Sequence, residues 1–219
     1  MGYTLLILGA GVMGQAVLSA VYNAPHVADA NKSSQYPSQI ITVNNSVKSS
    51  ERVKQLVQSF GNSPNGISVR CETKLDKSVK PEVVVVGTKP YQLEQVLKDY
   101  SNVFTEAQQV ISLAAGWTID QIQSKIANPP SVSRVMTNTP AKFGWGSAVI
   151  SHSTNTSEFQ KQRSQELFQH LGLCVELPEK NMDAATALVG SGPAFALLWM
   201  ESLMEGGIKM GIPLEQSRR

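Results

Sequence analysis

The feature that most constrains this chain is a glycine loop set between a strand and a helix. Leu5-Leu6-Ile7-Leu8 runs straight into Gly9-Ala10-Gly11-Val12-Met13-Gly14, and a helical pattern follows to Asn23. In a G-x-G-x-x-G the first glycine permits the tight turn, the second lets backbone approach a pyrophosphate, and the third lets the helix pack closely on the strand. The amides and positive end of the helix then favour an anion. At the first strand-to-helix junction of a βαβ unit the pattern predicts dinucleotide binding.

The next stretches repeat the theme. Continuous Val/Ile-rich runs at 40–43, 83–86 and 110–113, with an alternating run at 67–71, predict strands, and those without alternation predict strands covered on both faces. Helical patterns at 14–23, 51–60, 92–100 and 118–126 lie between them, so right-handed crossovers and a mostly parallel sheet are expected. Residues 147–151 and 174–177 are candidate edge strands around a helix at 157–171, and 24–38 is a polar loop insertion with two prolines. From about residue 179 the pattern becomes nearly unbroken helix, interrupted by Gly190-Ser191-Gly192-Pro193. The expected fold is α/β: a Rossmann-like, mostly parallel sheet over residues 1–178, followed over 179–219 by the incomplete start of an all-α domain, which the family resemblance given below implies is a dimerisation domain.

Composition removes several classes. An apolar share of 42% excludes wholesale disorder, and 19 basic against 17 acidic residues gives no electrostatic footprint for nucleic acid. Two cysteines, Cys71 and Cys174, make neither a disulfide framework nor a metal site and suit a cytoplasmic protein. The uncharged stretch 184–200 is short and glycine-broken, so it is expected to be an interface helix buried in protein rather than a membrane span. His26, His152 and His170 show no ligand or catalytic spacing, so no catalytic residue is named and no metal is expected.

The ends of the other strands carry distinctive groups, and in such sheets ligands lie beyond those ends. Asn44-Asn45-Ser46 closes the second strand where NAD-selective proteins place a carboxylate; neutral side chains with Lys48 and Arg52 nearby favour NADP, with NAD possible. Gly87-Thr88-Lys89-Pro90 and Leu113-Ala114-Ala115-Gly116 close the fourth and fifth.

With Arg134-Val135-Met136-Thr137-Asn138-Thr139-Pro140-Ala141, the block 182–195 containing Gly190-Ser191-Gly192-Pro193, and Glu205-Gly206-Gly207-Ile208-Lys209-Met210-Gly211-Ile212-Pro213, the chain resembles the pyrroline-5-carboxylate reductases. Thr137 stands where many members carry Pro, and Val189 where a small residue is usual. The resemblance implies reduction of a small cyclic imine to proline by NADPH or NADH, the last step of proline synthesis, in a homodimer or larger oligomer joined through C-terminal helices. It implies that Gly9, Gly11, Val12, Met13 and Gly14 surround the pyrophosphate, Asn45 and Ser46 the adenosine ribose, Thr88 and Lys89 the central part, and Ala114 and Ala115 the nicotinamide end. Glu179, Ser191, Gly192 and Pro193 are the implied substrate contacts. Members continue past the position of Arg219 with helices and a Ser-Pro-Gly-Gly-Thr-type loop that holds the substrate, so this chain alone is expected to bind cofactor better than it turns over. Alternatives are a nucleotide-binding fragment without catalysis and another Rossmann NADP reductase, such as a deazaflavin-dependent one.

Overall fold

A computed structural model describes residues 2–26, 35–76 and 78–219; residues 27–34 of the expected insertion lie outside the described residues. Eight strands form one sheet: β1 (Tyr3–Leu8), β2 (Pro37–Val43), β3 (Ser68–Glu72), β4 (Val83–Val86), β5 (Gln109–Ser112), β6 (Ser131–Thr137), β7 (Gly146–His152) and β8 (Gly172–Glu176). Their spatial order is β3-β2-β1-β4-β5-β6-β7-β8. The first six run parallel, β7 turns back antiparallel to β6, and β8 runs parallel to β7.

The unbroken apolar strands read as they do because both faces are covered. On β1, Leu5 and Ile7 join a core with Val17, Leu18 and Val21 of helix α1 (Val12–Tyr22) and Leu167 and Phe168 of a later helix. Leu6 and Leu8 point the other way, into a core with Leu93, Leu97, Phe104, Ile119 and Ile122. Each of these side chains contributes roughly 1.5–3 kcal/mol by leaving water, and β4 divides its four valines between the same two cores.

Among the described residues the further α-helices are α2 (Val47–Ser59), α3 (Leu93–Asp99), α4 (Ser101–Glu106), α5 (Ile119–Gln123), α6 (Glu158–Phe168), α7 (Met182–Ala185), α8 (Ser191–Lys209) and α9 (Leu214–Ser217). Their starts follow local chemistry. Ser46 caps α2, and Thr118 with Gln121 and Ser157 with Gln160 form capping boxes on α5 and α6. Helix α2 begins at Val47, four residues before its expected start at Glu51, because Ser46 caps it there.

Two expectations need correction. Residues 131–137 form a strand that the apolar pattern did not reveal, because β6 buries serines and an arginine along with its valines. The expected insertion 24–38 ends earlier than its expected bound, since β2 already starts at Pro37.

Strand reversal decides where the C-terminal helices go. Because β8 runs against β1–β6, it ends toward their amino edge, with Glu176 beside Ile150. The chain then climbs back along β6 and β7 through α7 and a π-helical turn at Thr186–Gly190, burying Met182 and Ala185 against Val149. It reaches the carboxyl edge as α8 begins.

Candidate active site

The order of β2, β1 and β4 makes β1 the switch point of the sheet, where the loops after adjacent strands diverge and leave a crevice. Three loops meet there. Gly9 donates its N–H to Val43 O at 2.9 Å, and Gly87 donates to Leu8 O at 2.8 Å, locking the turns after β1, β2 and β4 together. Gly9 has φ of +85°, and a β-carbon on it would stand 2.6 Å from Thr88 Cγ2. A β-carbon on Gly14 would stand 2.5 Å from Gly9 O, so α1 lies directly on the turn.

The crevice is a cavity of about 490 Å³, ordinary for a small-molecule site. It brings together Gly9, Gly11, Asn45, Thr88 and Lys89 of the predicted set. Gly14 sits behind the turn, Val12 and Met13 at the open start of α1, and Ser46 is occupied in capping α2, where it accepts the Ser49 N–H at 3.2 Å. Ala114 and Ala115 follow β5 at the same carboxyl edge without lining this cavity; Ala114 is buried and donates its N–H to Ser112 Oγ. Ser49, Thr73, Tyr91, Gln95 and Tyr100 also line it, and sequence patterning gave no signal for them because helix and loop residues enter the site only through tertiary packing.

Asn44 belongs to the strand-end run Asn44-Asn45-Ser46, of which the resemblance named only Asn45 and Ser46 as cofactor contacts. Its Oδ1 accepts the Ala10 N–H at 3.0 Å, while its Nδ2 is buried with no partner among the described residues. Thr88 Oγ1 is likewise buried and unpartnered. Buried polar atoms are nearly always paired, so unpaired ones beside a cavity mark where a polar ligand completes the bonding. Together with the open amides of α1, which begins at Gly11 without a side-chain cap, these groups fit a dinucleotide phosphate and ribose.

Residues 4–116 match the sequence profile of a family described as NADP oxidoreductase coenzyme F420-dependent, and residues 179–219 match that of pyrroline-5-carboxylate reductase dimerisation. A curated relative, the pyrroline-5-carboxylate reductase of Kluyveromyces lactis, is 52% identical over 99% of this chain and 75% of its own length. This chain belongs to the pyrroline-5-carboxylate reductase family. Among solved structures, the reductase from Coxiella burnetii superposes with a TM-score of 0.79 at 24% identity, over 99% of this chain and 74% of its own. The Plasmodium falciparum reductase, described with NADP bound, gives 0.73 at 24% identity, over 98% and 73%. Both share the fold.

The residues that resemblance to these reductases placed at the substrate lie on the climb from β8 to α8. Glu179 Oε1 accepts the Ile119 N–H at 2.7 Å at the start of α5 and lies 3.6 Å from Arg134 Nη1. Arg134, almost wholly buried on β6, also reaches Asp183 Oδ1 at 3.3 Å. Glu179 therefore ties the climb to the sheet through one oxygen. Ser191, Gly192 and Pro193 open α8 directly after the π-helical turn.

Elsewhere the titratable groups serve packing. Burial pushes the Cys71 thiol up and the Cys174 thiol up to about 12, so neither carries a ready thiolate. His26 contacts Pro64 O, His152 pairs with Ser133, and His170 with Tyr36. Among the described residues no three His, Cys, Asp or Glu gather as a metal set.

The helical run Glu179–Lys209 is long and apolar enough to cross a membrane by length and composition, with an 18-residue window of mean hydropathy 1.3. It coincides with the dimerisation profile. The expectation of a helix buried within protein is not met in the single chain: Phe195, Leu197, Leu198, Trp199 and Leu203 of α8 are all exposed.

Proposed function

We propose that the chain acts as a reductase of 1-pyrroline-5-carboxylate, forming L-proline with NADPH, and that NADH can replace it. The observation that carries this reading is the cavity at the β1 switch point, with unpaired Asn44 Nδ2 and Thr88 Oγ1, in a chain so similar to a named reductase. Gly9, Gly11 and the first turn of α1, including Val12 and Met13, would hold the diphosphate, with Gly14 keeping the helix close. Asn45 and Ser46 would meet the adenosine ribose, Thr88 and Lys89 the middle of the cofactor, and Ala114 and Ala115 the nicotinamide end. The neutral Asn44-Asn45-Ser46 run supports NADP because no carboxylate stands there to repel a 2′-phosphate.

When bound, NADPH supplies the hydride. The protein has to fix approach geometry and keep water out, since a protonated cyclic imine is already electrophilic. No protein proton donor is assigned, and the substrate enters protonated. Glu179, Ser191, Gly192 and Pro193 are the substrate-side residues in this reading, carried by a helical unit over 179–219 that begins where the sheet domain, 1–178, ends.

The exposed apolar face of α8 supports a homodimer or larger homo-oligomer joined through the C-terminal helices, because an apolar patch of that extent on a 19-residue helix seeks a partner. It supports a second copy rather than a membrane, and the near-balanced charge gives no reason for nucleic acid. The free Cys71 and Cys174 suit the cytoplasm.

Titration with NADPH followed by addition of pyrroline-5-carboxylate tests the reading. Loss of reduced-nicotinamide absorbance, with proline as product, is expected. Cofactor binding with no oxidation would leave a nucleotide-binding module.

A further inference from the structure

Three residues on one face of β6 and its extension grip the climbing chain in turn. Arg134 holds Glu179 and Asp183, Met136 meets Gly190, and Asn138 meets Val189. Spacing of two along a strand puts them on the same side. The Met136 contact is close: a β-carbon on Gly190 would come within 2.4 Å of Met136 Cε. The last contact has the most specific chemistry. Asn138 Nδ2 donates to Val189 O at 3.2 Å, while its Oδ1 accepts the Ser147 N–H at 3.1 Å. Both ends of the carboxamide are therefore in use, one on β7 and one on the helix.

Val189 O is the oxygen that residue 193 would pair with in a regular α-helix, four positions on. Residue 193 is proline, which has no N–H and whose ring crowds that carbonyl. The backbone widens into a π-helical turn at Thr186–Gly190 just before it, and such turns recur at functional sites.

We propose that Asn138 is a positioning residue for the reduction: its side-chain amide replaces the donor that Pro193 lacks at Val189 O and so fixes the Ser191-Gly192-Pro193 break over the carboxyl edge of the sheet. The catalytic consequence rests on the functional reading above, in which that break faces the substrate; the hydrogen-bond substitution does not. Sequence inspection sees a proline interrupting a helical stretch and an asparagine 55 residues before it. Only the structure joins them.

A double-mutant cycle in the full-length protein tests it. Asn138→Ala removes the donor and is expected to raise KM for pyrroline-5-carboxylate about tenfold, the equivalent of one buried hydrogen bond. The change in kcat is smaller, and NADPH affinity is retained. Asn138→Asp keeps the acceptor for Ser147 but loses the donor, and should match it. Pro193→Ala returns a main-chain N–H, so in that background Asn138→Ala should cost several-fold less, both in KM and in the shift of Tm. Equal costs in the two backgrounds overturn the proposal. If the wild-type protein binds NADPH but reduces nothing, the functional reading fails, while the Tm cycle still decides the role of Asn138.

Discussion

Asn44 reaches from the end of β2 to the Ala10 amide in the loop after β1, 3.0 Å away and 34 residues earlier in the chain. One half of its carboxamide thus shapes the phosphate turn while the other half stays free in a buried position. Asn44→Ala leaves the Ala10 N–H without its acceptor, a loss of about 1–3 kcal/mol. NADPH affinity is expected to fall about tenfold or more, read by fluorescence titration, with the far-UV spectrum of the protein unchanged.

Asn45 lines the same cavity one residue on. Asn45→Asp places a carboxylate where NAD-selective sheets hold the ribose 2′-hydroxyl and where a 2′-phosphate is repelled. The ratio of NADPH to NADH affinity should fall about tenfold, roughly 1.4 kcal/mol of discrimination. An unchanged ratio would place the adenosine ribose elsewhere.

The clamp at Arg134 is a matter of stability. Arg134→Met keeps the bulk but strips Glu179 of its charged partner, leaving the Ile119 N–H bond. A loss of about 1–3 kcal/mol is expected in urea denaturation, less than for a fully buried pair because Glu179 is part-exposed. Asp183 is 95% exposed, so Asp183→Asn should change stability by less than about 0.5 kcal/mol.

Acid should weaken the fold through two histidines. Burial holds His152 and His170 below the ordinary histidine value of 6.5, with Glu176 and Glu166 pulling the other way. A lowered folded pKa means that the unfolded chain takes up the proton first. The stabilisation is therefore complete above about pH 6.5 and is lost as pH falls through the lowered folded values. The urea midpoint should drop between about pH 7.5 and pH 5.5, and His170→Gln should flatten that drop.

The exposed face of α8 predicts association. Trp199→Glu puts a charge into the centre of the patch formed by Phe195, Leu198 and Leu203. Sedimentation should show the wild type as dimer or larger and the variant shifted toward monomer.

The sheet was legible where chemistry repeats. Leu5–Leu8 and Val83–Val86 are apolar at every position because each faces a core, and the glycine loop stood in the context that gives it meaning. The strand β6 was not, since its polar residues are buried for reasons set by distant partners: Ser133 bonds His152, and Arg134 bonds Asp183. Hydrophobic periodicity carries no trace of such pairs. Within the site, Asn45, Thr88 and Lys89 could be named from strand ends, whereas Ser49, Gln95 and Tyr100 arrive from helices and a helix cap that only packing places. The proline at 193 was visible, but the bond from Asn138 to Val189 O, one turn before it, was not.

The return of the last two strands turns the stretch from Glu179 to Gly190 into a spacer of fixed count. It must carry the polypeptide from one rim of the sheet to the other and deliver Pro193 in phase with Asn138. One residue more or fewer would swing everything beyond it by about 100° around the helical axis. Chain length there, as much as side-chain identity, keeps the start of α8 in register with the carboxyl end of β6.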